Sequence, residues 1–368
     1  MITNKWIKRG FALLLVICLL PIAPAFATED TDVPITTLPL PVYTVTFHWN
    51  HADAPNEGIY SVAQVPEGGL VAQPPDPLAA GWVFLGWFEA IAVVPLDSAE
   101  PAPLLGVSNF STYFDFNTPI IADLDLYARW VLEPAIPLTT KHYAYLIGDD
   151  QAYIRPLDNI TRAEIATVLF RLLDSNYRKL NWTTTNPYSD VYRGTWYNNA
   201  VSTIYAIGLL DELPGGAFYP FASMRRGEFA TLIAALFSLD SVGASDAFLD
   251  VSNSWARDAI NLLAAAHILQ VPEDGLFRPE AFISRGEVAA IINRAMGRLP
   301  ENGWDVNLPQ ARIWLDNANE NTWYYLDVQE ATNSHDYAKK ADQIHETWTS
   351  LVEGPKWAAM QHADAKPG

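Results

Sequence analysis

The sequence predicts an α+β protein of several domains, in which a small β domain precedes a larger helical one. Between residues 42 and 131, apolar residues alternate with polar ones at several places, which is typical of half-buried strands. Beyond residue 141 the apolar spacing becomes helical, and one segment occurs three times. A repeat of roughly 60 residues indicates one structural unit used several times.

The first 27 residues are predicted to be a secretory signal peptide. Lys5, Lys8 and Arg9 precede an apolar run from Phe11 to Leu20, and Ala25–Ala27 has the small-residue pattern of a cleavage site. The apolar run is shorter than a membrane-spanning helix, and no later run is longer. We therefore expect a secreted protein without a membrane span.

Composition excludes several classes of function. The single cysteine, Cys18, lies in the predicted signal peptide, so disulfides and thiolate metal sites are not expected in the mature chain. A net charge of -19 argues against nucleic acid and anionic membranes as partners. No Ser-His-Asp elbow, HExxH motif or phosphate loop is found. We predict no catalytic residues, no cofactor and no metal site.

The β domain is predicted at residues 42–131, between proline-bearing linkers at 28–41 and 132–140. It opens with the letters VTF, continues with GWVFLGWF, and closes with YFDFNTPIIADLDLYARW. Strands are expected at residues 43–49, 81–88 and 123–130. Trp82 and Trp87 are expected to pack in the core rather than to form a sugar platform.

This pattern resembles the Listeria–Bacteroides repeat, also called the internalin B-type repeat. The resemblance implies a small β-grasp-like fold that serves as a spacer or an adhesive module. It leaves open self-association, or an unknown surface partner, through this β domain.

Each copy of the helical repeat contains a proline, an arginine six residues later and a glutamate two residues after that. The copies run from Arg155 to Glu164, from Tyr219 to Glu228 and from Arg278 to Glu287. An apolar stripe follows each glutamate, which predicts a helix with one buried face. Two copies begin with a capping box, and the middle copy has Arg225 at the cap position, where the box is broken.

A second helix alternates with the first and is expected to begin at a tryptophan that follows an acidic turn. The tryptophans are Trp196, Trp255 and Trp323, and the acidic residues are Asp190, Asp250 and Asp316. We expect these aspartates to be cap or turn residues rather than ligand contacts. His267 and His335 occupy matching positions and are expected to pack rather than to catalyse.

The tryptophan helix, the glycine-containing loop, the letters FRP and the helix opening ITRAE together resemble the S-layer homology (SLH) domain. HYAYLIG before the first copy and WYYLDVQEATNSHDY after the last extend the resemblance. It implies a three-pronged helical assembly with units at 141–188, 189–248 and 249–345, followed by a C-terminal tail at 346–368.

The SLH resemblance also implies a ligand, the secondary cell wall polysaccharide attached to peptidoglycan, whose terminal N-acetylmannosamine carries a pyruvate ketal. The implied carboxylate partners are Arg162, Arg226 and Arg285, and the residues lining the grooves are Trp196, Trp255 and Trp323. A guanidinium fork matches a carboxylate. A cation is disfavoured by about 0.3–1 kcal/mol near a helix N-terminus, so three arginines there need another reason. The loops differ between copies, so we expect unequal grooves, with those of Arg285 or Arg162 the best.

The expected function is non-covalent anchoring of an exported protein at the cell wall or S-layer surface of a Gram-positive-type bacterium. One alternative is a subunit of the S-layer lattice. Another is an enzyme that acts on cell-wall glycans. The sequence argues against an enzyme, because only one small β domain and linkers lie outside the repeats.

Overall fold

The computed structural model describes residues 40–50, 58–89, 113–211, 215–237 and 246–361. The predicted signal peptide and residues 28–39 of the first linker lie outside these ranges. Among the described helices, none combines the length and the apolar composition that crossing a bilayer requires.

The β domain is a four-stranded sheet of β1 (Val42–His48), β2 (Ile59–Pro66), β3 (Trp82–Glu89) and β4 (Leu124–Leu132). The strand order is β2-β1-β4-β3, with β1 and β4 parallel and the outer pairs antiparallel. The three predicted strands are confirmed. The edge strand β2 was not predicted, because most of its side chains remain partly or fully exposed and its pattern is therefore weak.

Aromatic side chains form the core of the β domain. Trp87 is fully buried and meets the ring of Phe47 edge-on, with 4.9 Å between ring centroids. Phe84 contacts the same indole at 5.2 Å. The prediction that Trp87 packs in the core is confirmed. The β-grasp-like assignment of the sheet stays a prediction.

α-Helices are the commonest regular elements in the rest of the described chain, which is consistent with the α+β class. Each arginine-bearing helix packs on the tryptophan helix that follows it in the chain, as α1 on α3, α4 on α5, and α6 on α7. The helices are α1 (Arg162–Leu172), α2 (Ser175–Asn181), α3 (Asn198–Ala206), α4 (Arg226–Ala235), α5 (Arg257–Ala265), α6 (Arg285–Ala295), α7 (Tyr325–Thr332) and α8 (Trp357–Gln361). A 3-10 turn at Gly303–Val306 and a hairpin of β5 (His335–Lys339) and β6 (Glu346–Leu351) complete the set.

Capping boxes begin α1 and α6 as predicted. Glu164 accepts the N–H of Thr161 at 2.9 Å, and the Thr161 hydroxyl accepts the N–H of Glu164 at 3.3 Å. In the middle copy the Arg225 side chain has no acceptor atom for an amide. Glu228 still accepts the N–H of Arg225 at 2.9 Å, so half of the box survives.

The tryptophan helices begin two residues later than predicted, at Asn198, Arg257 and Tyr325. The tryptophans therefore lie in the preceding turn. Their cap residues make no side-chain hydrogen bond to the helix, so the sequence carries no capping signal that would fix the first residue.

Three buried residues join the repeat copies in a closed cycle of backbone hydrogen bonds. Ile160 donates to the carbonyl of Ile283 at 3.1 Å, Ile283 donates to Met224 at 3.0 Å, and Met224 donates to Ile160 at 2.9 Å. All three side chains are buried. The copies thus meet around one approximate three-fold centre; a three-pronged shape of the whole assembly stays a prediction.

Each arginine helix directs its first amides onto the proline segment of another copy. Arg162 and Ala163 donate their N–H groups to the carbonyls of Ala222 and Pro220, at 3.0 and 2.9 Å. The same pair of bonds recurs from α4 to Ala281 and Pro279, and from α6 to Asp158 and Pro156. Amides that a helix leaves unpaired at its N-terminus are therefore satisfied by a neighbouring copy.

The three acidic turn residues clamp the segments before these prolines. Asp250 accepts the N–H groups of Phe277 and Arg278 at 2.8 and 2.7 Å. Asp190 accepts those of Phe218 and Tyr219 in the same way. Both were expected to be cap or turn residues. Their carboxylates instead bind backbone amides that lie 27 to 29 residues further along the chain.

Asp316 makes the clamp that closes the cycle. It accepts the N–H groups of Ile154 and Arg155 at 3.0 and 2.8 Å, although these residues lie 162 and 161 positions earlier. The last tryptophan segment and the first arginine segment are thereby joined as the other pairs are. The residue before each proline has a positive φ, at 55° for Arg155, 57° for Tyr219 and 60° for Arg278, a strained conformation that the clamp holds.

The predicted C-terminal tail is folded onto the helical domain as far as residue 361. Its first residues form β6, which pairs with β5 across the expected boundary at 345/346. Trp357 of α8 is buried and donates its indole N–H to the carbonyl of Ala144 at 2.8 Å. Neither the hairpin nor α8 was predicted, because both depend on contacts with distant parts of the chain.

We expect Asp250→Ala to lower the free energy of unfolding by about 2–3 kcal/mol, because it removes the acceptor of two amides that pair with a charged oxygen. Urea denaturation followed by circular dichroism measures this loss. Asp258→Ala is the matched control, since Asp258 is exposed and its one ion pair among the described residues is with its neighbour Arg257 at 3.4 Å; its effect should stay within about 0.5 kcal/mol. Equal effects of the two substitutions would contradict the clamp.

Candidate functional site

The three repeat arginines link the copies to one another. Arg162 donates Nε to the carbonyl of Phe218 at 2.9 Å and Nη1 to Glu228 at 2.8 Å. Arg226 does the same to Phe277 and Glu287, and Arg285 to Ile154 and Glu164, at 2.5–2.7 Å. Each arginine therefore reaches the glutamate of the next copy in cyclic order. We call these three ion pairs the arginine ring.

Each glutamate of the ring has two tasks, one for each carboxylate oxygen. In Glu164, Oε2 accepts the N–H of Thr161 in its own capping box, and Oε1 accepts Nη1 of Arg285 at 2.6 Å. Glu228 and Glu287 divide their oxygens in the same way. This explains the fixed spacing of two residues between arginine and glutamate in every copy.

The arginine ring is largely buried. The exposed fraction of the side chain is 12% for Arg162, 4% for Arg226 and 10% for Arg285. Burial lowers the pKa of Arg226, and Glu287 partly opposes that shift. The rings of Phe218 and Phe277 lie beside the guanidinium groups of Arg162 and Arg226, at 5.1 and 4.8 Å. The ion pairs and these rings compensate for placing cations at helix N-termini.

The three guanidinium groups differ in how many of their hydrogen-bond donors remain without a partner among the described residues. Arg285 also donates Nη2 to the carbonyl of Ile147 at 2.9 Å, so all three of its nitrogens are engaged. Nη2 of Arg162 has no hydrogen-bond partner among the described residues, and the same holds for Arg226. Arg162 is the more exposed of these two and thus keeps one donor for a ligand.

An open groove of about 390 Å³ lies next to the Arg162 segment. Tyr192, Tyr219 and Phe221 contribute large exposed rings to it, with 56–68% of each residue accessible. The lining residues are Asp190, Tyr192, Tyr197, Tyr219, Pro220, Phe221 and Ala222. Such a surface suits a ligand with apolar faces and several hydroxyl groups.

Two predicted site residues support this groove from behind. Arg162 contacts Phe218, which directly precedes the wall that Tyr219 begins, and the N-terminus of α1 binds the carbonyls of that wall. Trp196 packs edge-on against Tyr197 at 5.2 Å, and Tyr197 packs edge-on against Phe221 at 5.6 Å. Arg162 and Trp196 therefore both lie behind the same groove, but neither is among its lining residues, and their part in binding stays a prediction.

The equivalent surfaces of the other copies have a different chemistry. Beside Pro279 the flanking residues are Arg278 and Glu280, and the 61% exposed Trp255 donates its indole N–H to Glu280 at 3.3 Å. Trp323 is half-buried against the helical core. Beside Pro156 the flanking residues are charged or aliphatic, namely Arg155, Leu157 and Asp158. The three surfaces therefore differ in the aromatic, charged or aliphatic character of the residues beside the proline.

Four aromatic residues of the groove were not predicted from the sequence, namely Tyr192, Tyr197, Tyr219 and Phe221. A signal was present in the alignment of the copies, since only the middle copy has aromatic residues on both sides of its proline. The position of Tyr192 beside them could not be inferred, because it depends on the Asp190 clamp between segments 28 and 29 residues apart.

Comparison with protein families identifies the segments that carry these features. The model of the S-layer homology domain matches residues 187–230 and 247–289. The chain carries S-layer homology domains. Each matched segment runs from a clamp aspartate to a ring glutamate, and the first contains the whole aromatic groove. The model of the Listeria-Bacteroides repeat domain matches residues 43–93, within the predicted β domain.

The chain is also similar to known proteins of Acetivibrio thermocellus. The chain is 32% identical over 228 residues to cell surface glycoprotein 1, and 30% identical over 206 residues to a cellulosome-anchoring protein. These matches cover 58% and 54% of this chain, but 9% and 44% of the relatives. An amylopullulanase of Thermoanaerobacterium thermosulfurigenes is 26% identical over 59% of this chain and 11% of its own length.

We expect Glu287→Gln to destabilise the protein by about 3 kcal/mol, because it removes the counter-charge of a buried guanidinium. Glutamine can still serve the capping box of α6, so the loss reports on the ion pair with Arg226. The control is Glu280→Gln, which breaks the exposed pair with Arg225 and should cost less than about 1 kcal/mol. Chemical denaturation of both variants measures the two losses of stability. Equal losses in Glu287→Gln and Glu280→Gln would contradict a structural role for the arginine ring.

Proposed function

We propose that the protein is a non-covalent anchor at the cell surface of a Gram-positive-type bacterium. Its SLH domains bind the secondary cell wall polysaccharide attached to peptidoglycan. The observation that carries this proposal is the exposed aromatic groove within an SLH segment, at residues 187–230. The likeness to a cellulosome-anchoring protein supports the same conclusion.

The groove has the properties of a sugar site. Sugar rings present apolar C–H faces that pack on aromatic rings, and Tyr192, Tyr219 and Phe221 offer such rings in an accessible position. The volume of about 390 Å³ falls within the range of small-ligand sites. Tyrosine hydroxyls and the Asp190 carboxylate provide polar partners for sugar hydroxyls.

The charge of the ligand assigns a role to Arg162. A pyruvate ketal on the terminal sugar is an anion, and a chain with a net charge of -19 repels anions at long range. A positioned guanidinium overcomes this at short range through a charge-assisted hydrogen bond. The remaining Nη2 donor of Arg162 fits this task. We propose Trp196 as its support, and Arg226, Arg285, Trp255 and Trp323 as contacts of weaker grooves.

The remaining domain is proposed as a spacer or an adhesive module. The β domain matches the Listeria-Bacteroides repeat, and its Trp87 and Trp130 are buried in the core. We propose no enzymatic activity for the chain, since its motifs offer no catalytic constellation. Assays of the purified protein on cell-wall glycans test this point, and electron microscopy of the purified protein tests for assembly into a lattice.

The proposed function is tested by co-sedimentation of the protein with cell-wall sacculi. We expect binding to intact sacculi and its loss once the secondary polysaccharide has been extracted, because the glycan supplies the contacts. Peptidoglycan from the same preparation serves as the control. Binding that persists after extraction would exclude the polysaccharide as the ligand.

The groove itself is tested by Tyr192→Ala and Phe221→Ala. Each should weaken binding to the isolated polysaccharide roughly tenfold, which corresponds to about 1.4 kcal/mol, with little change in stability because both rings are exposed. The matched control is Trp304→Ala, which removes an 85% exposed aromatic ring outside the groove. Isothermal titration calorimetry gives the affinities. If Trp304→Ala weakens binding as much as the groove variants, the assignment of the groove is wrong.

A further inference from the structure

Four buried side chains with metal-ligating atoms meet where the ends of the helical domain come together. His142, Glu330, His335 and Glu346 are each at most 6% exposed. One ligand atom from each lies within 4.8 Å of all the others. They come from four different segments: the chain before α1, helix α7, and the first residues of strands β5 and β6.

The spacing of these atoms suits a small divalent ion. Nδ1 of His142 lies 3.0 Å from Oε1 of Glu330, 3.3 Å from Oε1 of Glu346 and 3.1 Å from Nε2 of His335. In a tetrahedral site with bonds of about 2.0–2.1 Å, ligand atoms are separated by roughly 3.3 Å. Calcium, with longer bonds and six to eight oxygen ligands, fits this set poorly.

Each carboxylate leaves one buried oxygen without a partner. Trp348 donates its indole N–H to Oε2 of Glu330 at 2.8 Å, and Lys339 donates to Oε2 of Glu346 at 3.1 Å. The second oxygen of each, Oε1, is buried and has no well-aligned hydrogen bond from a described residue, although both Oε1 atoms lie within 3.3 Å of Nδ1 of His142. A buried polar atom without a partner is costly, and here both such atoms point into the same cluster.

The histidines also direct lone pairs into the cluster. Nδ1 of His335 lies 3.0 Å from the carbonyl of Asn333, which can only accept, so this nitrogen carries the proton. In the neutral ring the lone pair is then on Nε2, which faces Nδ1 of His142. A histidine ligand that donates its other N–H to a carbonyl is the usual arrangement around a metal.

A hydrogen-bonded network without metal explains the cluster less well. Only one proton fits between the two imidazoles, and the two unpartnered carboxylate oxygens would each need another. Of the two buried glutamates, only Glu346 pairs with Lys339, and a divalent cation would satisfy all four ligand atoms at once.

We propose that His142, Glu330, His335 and Glu346 bind one structural transition-metal ion, of the Zn²⁺ class. Two imidazole nitrogens and two carboxylate oxygens match the ligands of that class. Four protein ligands in a fully buried position leave no site for a substrate, so the role is structural rather than catalytic. The carbonyl of His142 also accepts the N–H of His335 at 3.0 Å, across 193 positions in the chain. The ion would therefore fasten the two ends of the SLH region.

The experiment uses the chain purified without a polyhistidine tag. We expect close to one equivalent of zinc by plasma mass spectrometry, its removal by a strong chelator, and a melting temperature that falls by several degrees on removal and recovers with Zn²⁺. Replacement with Co²⁺ should give the intense visible absorption of four-coordinate cobalt. No metal uptake, no change in melting temperature, or uptake of Ca²⁺ alone would overturn the proposal.

Variants separate the site from adventitious binding. Glu346→Gln keeps the shape of the side chain but loses the anionic ligand, and we expect its zinc affinity to fall roughly 100-fold or more, beyond the effect of losing an outer-shell partner. The control is Glu301→Gln, which removes a carboxylate paired with Lys340 outside the cluster. Equal metal loss in both variants would overturn the assignment. If Glu346→Gln does not fold, the metal content and cobalt spectrum of the unaltered chain still decide.

Discussion

Three helix N-termini converge at the centre of the SLH region, and their amides and partial positive charges must be satisfied there. The solution is cyclic. The first amides of each arginine helix bind the proline segment of a neighbouring copy. One oxygen of each ring glutamate caps its own helix, while the other binds the arginine of a neighbour. No copy can satisfy its own helix end alone, so the three copies are mutually dependent.

This constraint separates the task of assembly from the task of binding. Arg226 and Arg285 use most of their hydrogen-bond donors within the protein. Replacing either arginine would therefore destabilise the fold as well as any ligand site. The segment around each proline is less constrained in sequence. Its backbone carbonyls bind the first amides of an arginine helix, and the side chains on either side of the proline point outward. Tyr219 and Phe221 can therefore differ from their counterparts in the other copies without disturbing the centre. The three surfaces can therefore differ, because the hydrogen bonds between copies fix the backbone of each proline segment but not the identity of its outward side chains.

The sequence predicted what depends on local spacing and on repetition. Alternation predicted β1, β3 and β4, and the repeated arginine and glutamate predicted three equivalent helix starts, two of them with capping boxes. It could not predict which partner a side chain meets across the fold. The Asp316 clamp joins residues 161 and 162 positions apart, and the histidine and glutamate cluster draws on four separate segments. The exposed face of the groove likewise depends on packing of Tyr197 against Phe221, which no periodicity records.

The closure between the two ends of the SLH region has a mechanical consequence. Under the proposed anchoring function, force would enter the helical domain through the segment that leads from the β domain to His142. That segment is tied down at successive points, with Ala135 bound to Leu236, Thr139 bound to Leu172, and the backbone of His142 accepting from His335. The first two of these attachments lie on Leu236 at the end of α4 and on Leu172 at the end of α1. Tension on the β domain would therefore be shared between these two helix ends and the backbone bond that joins His142 to His335.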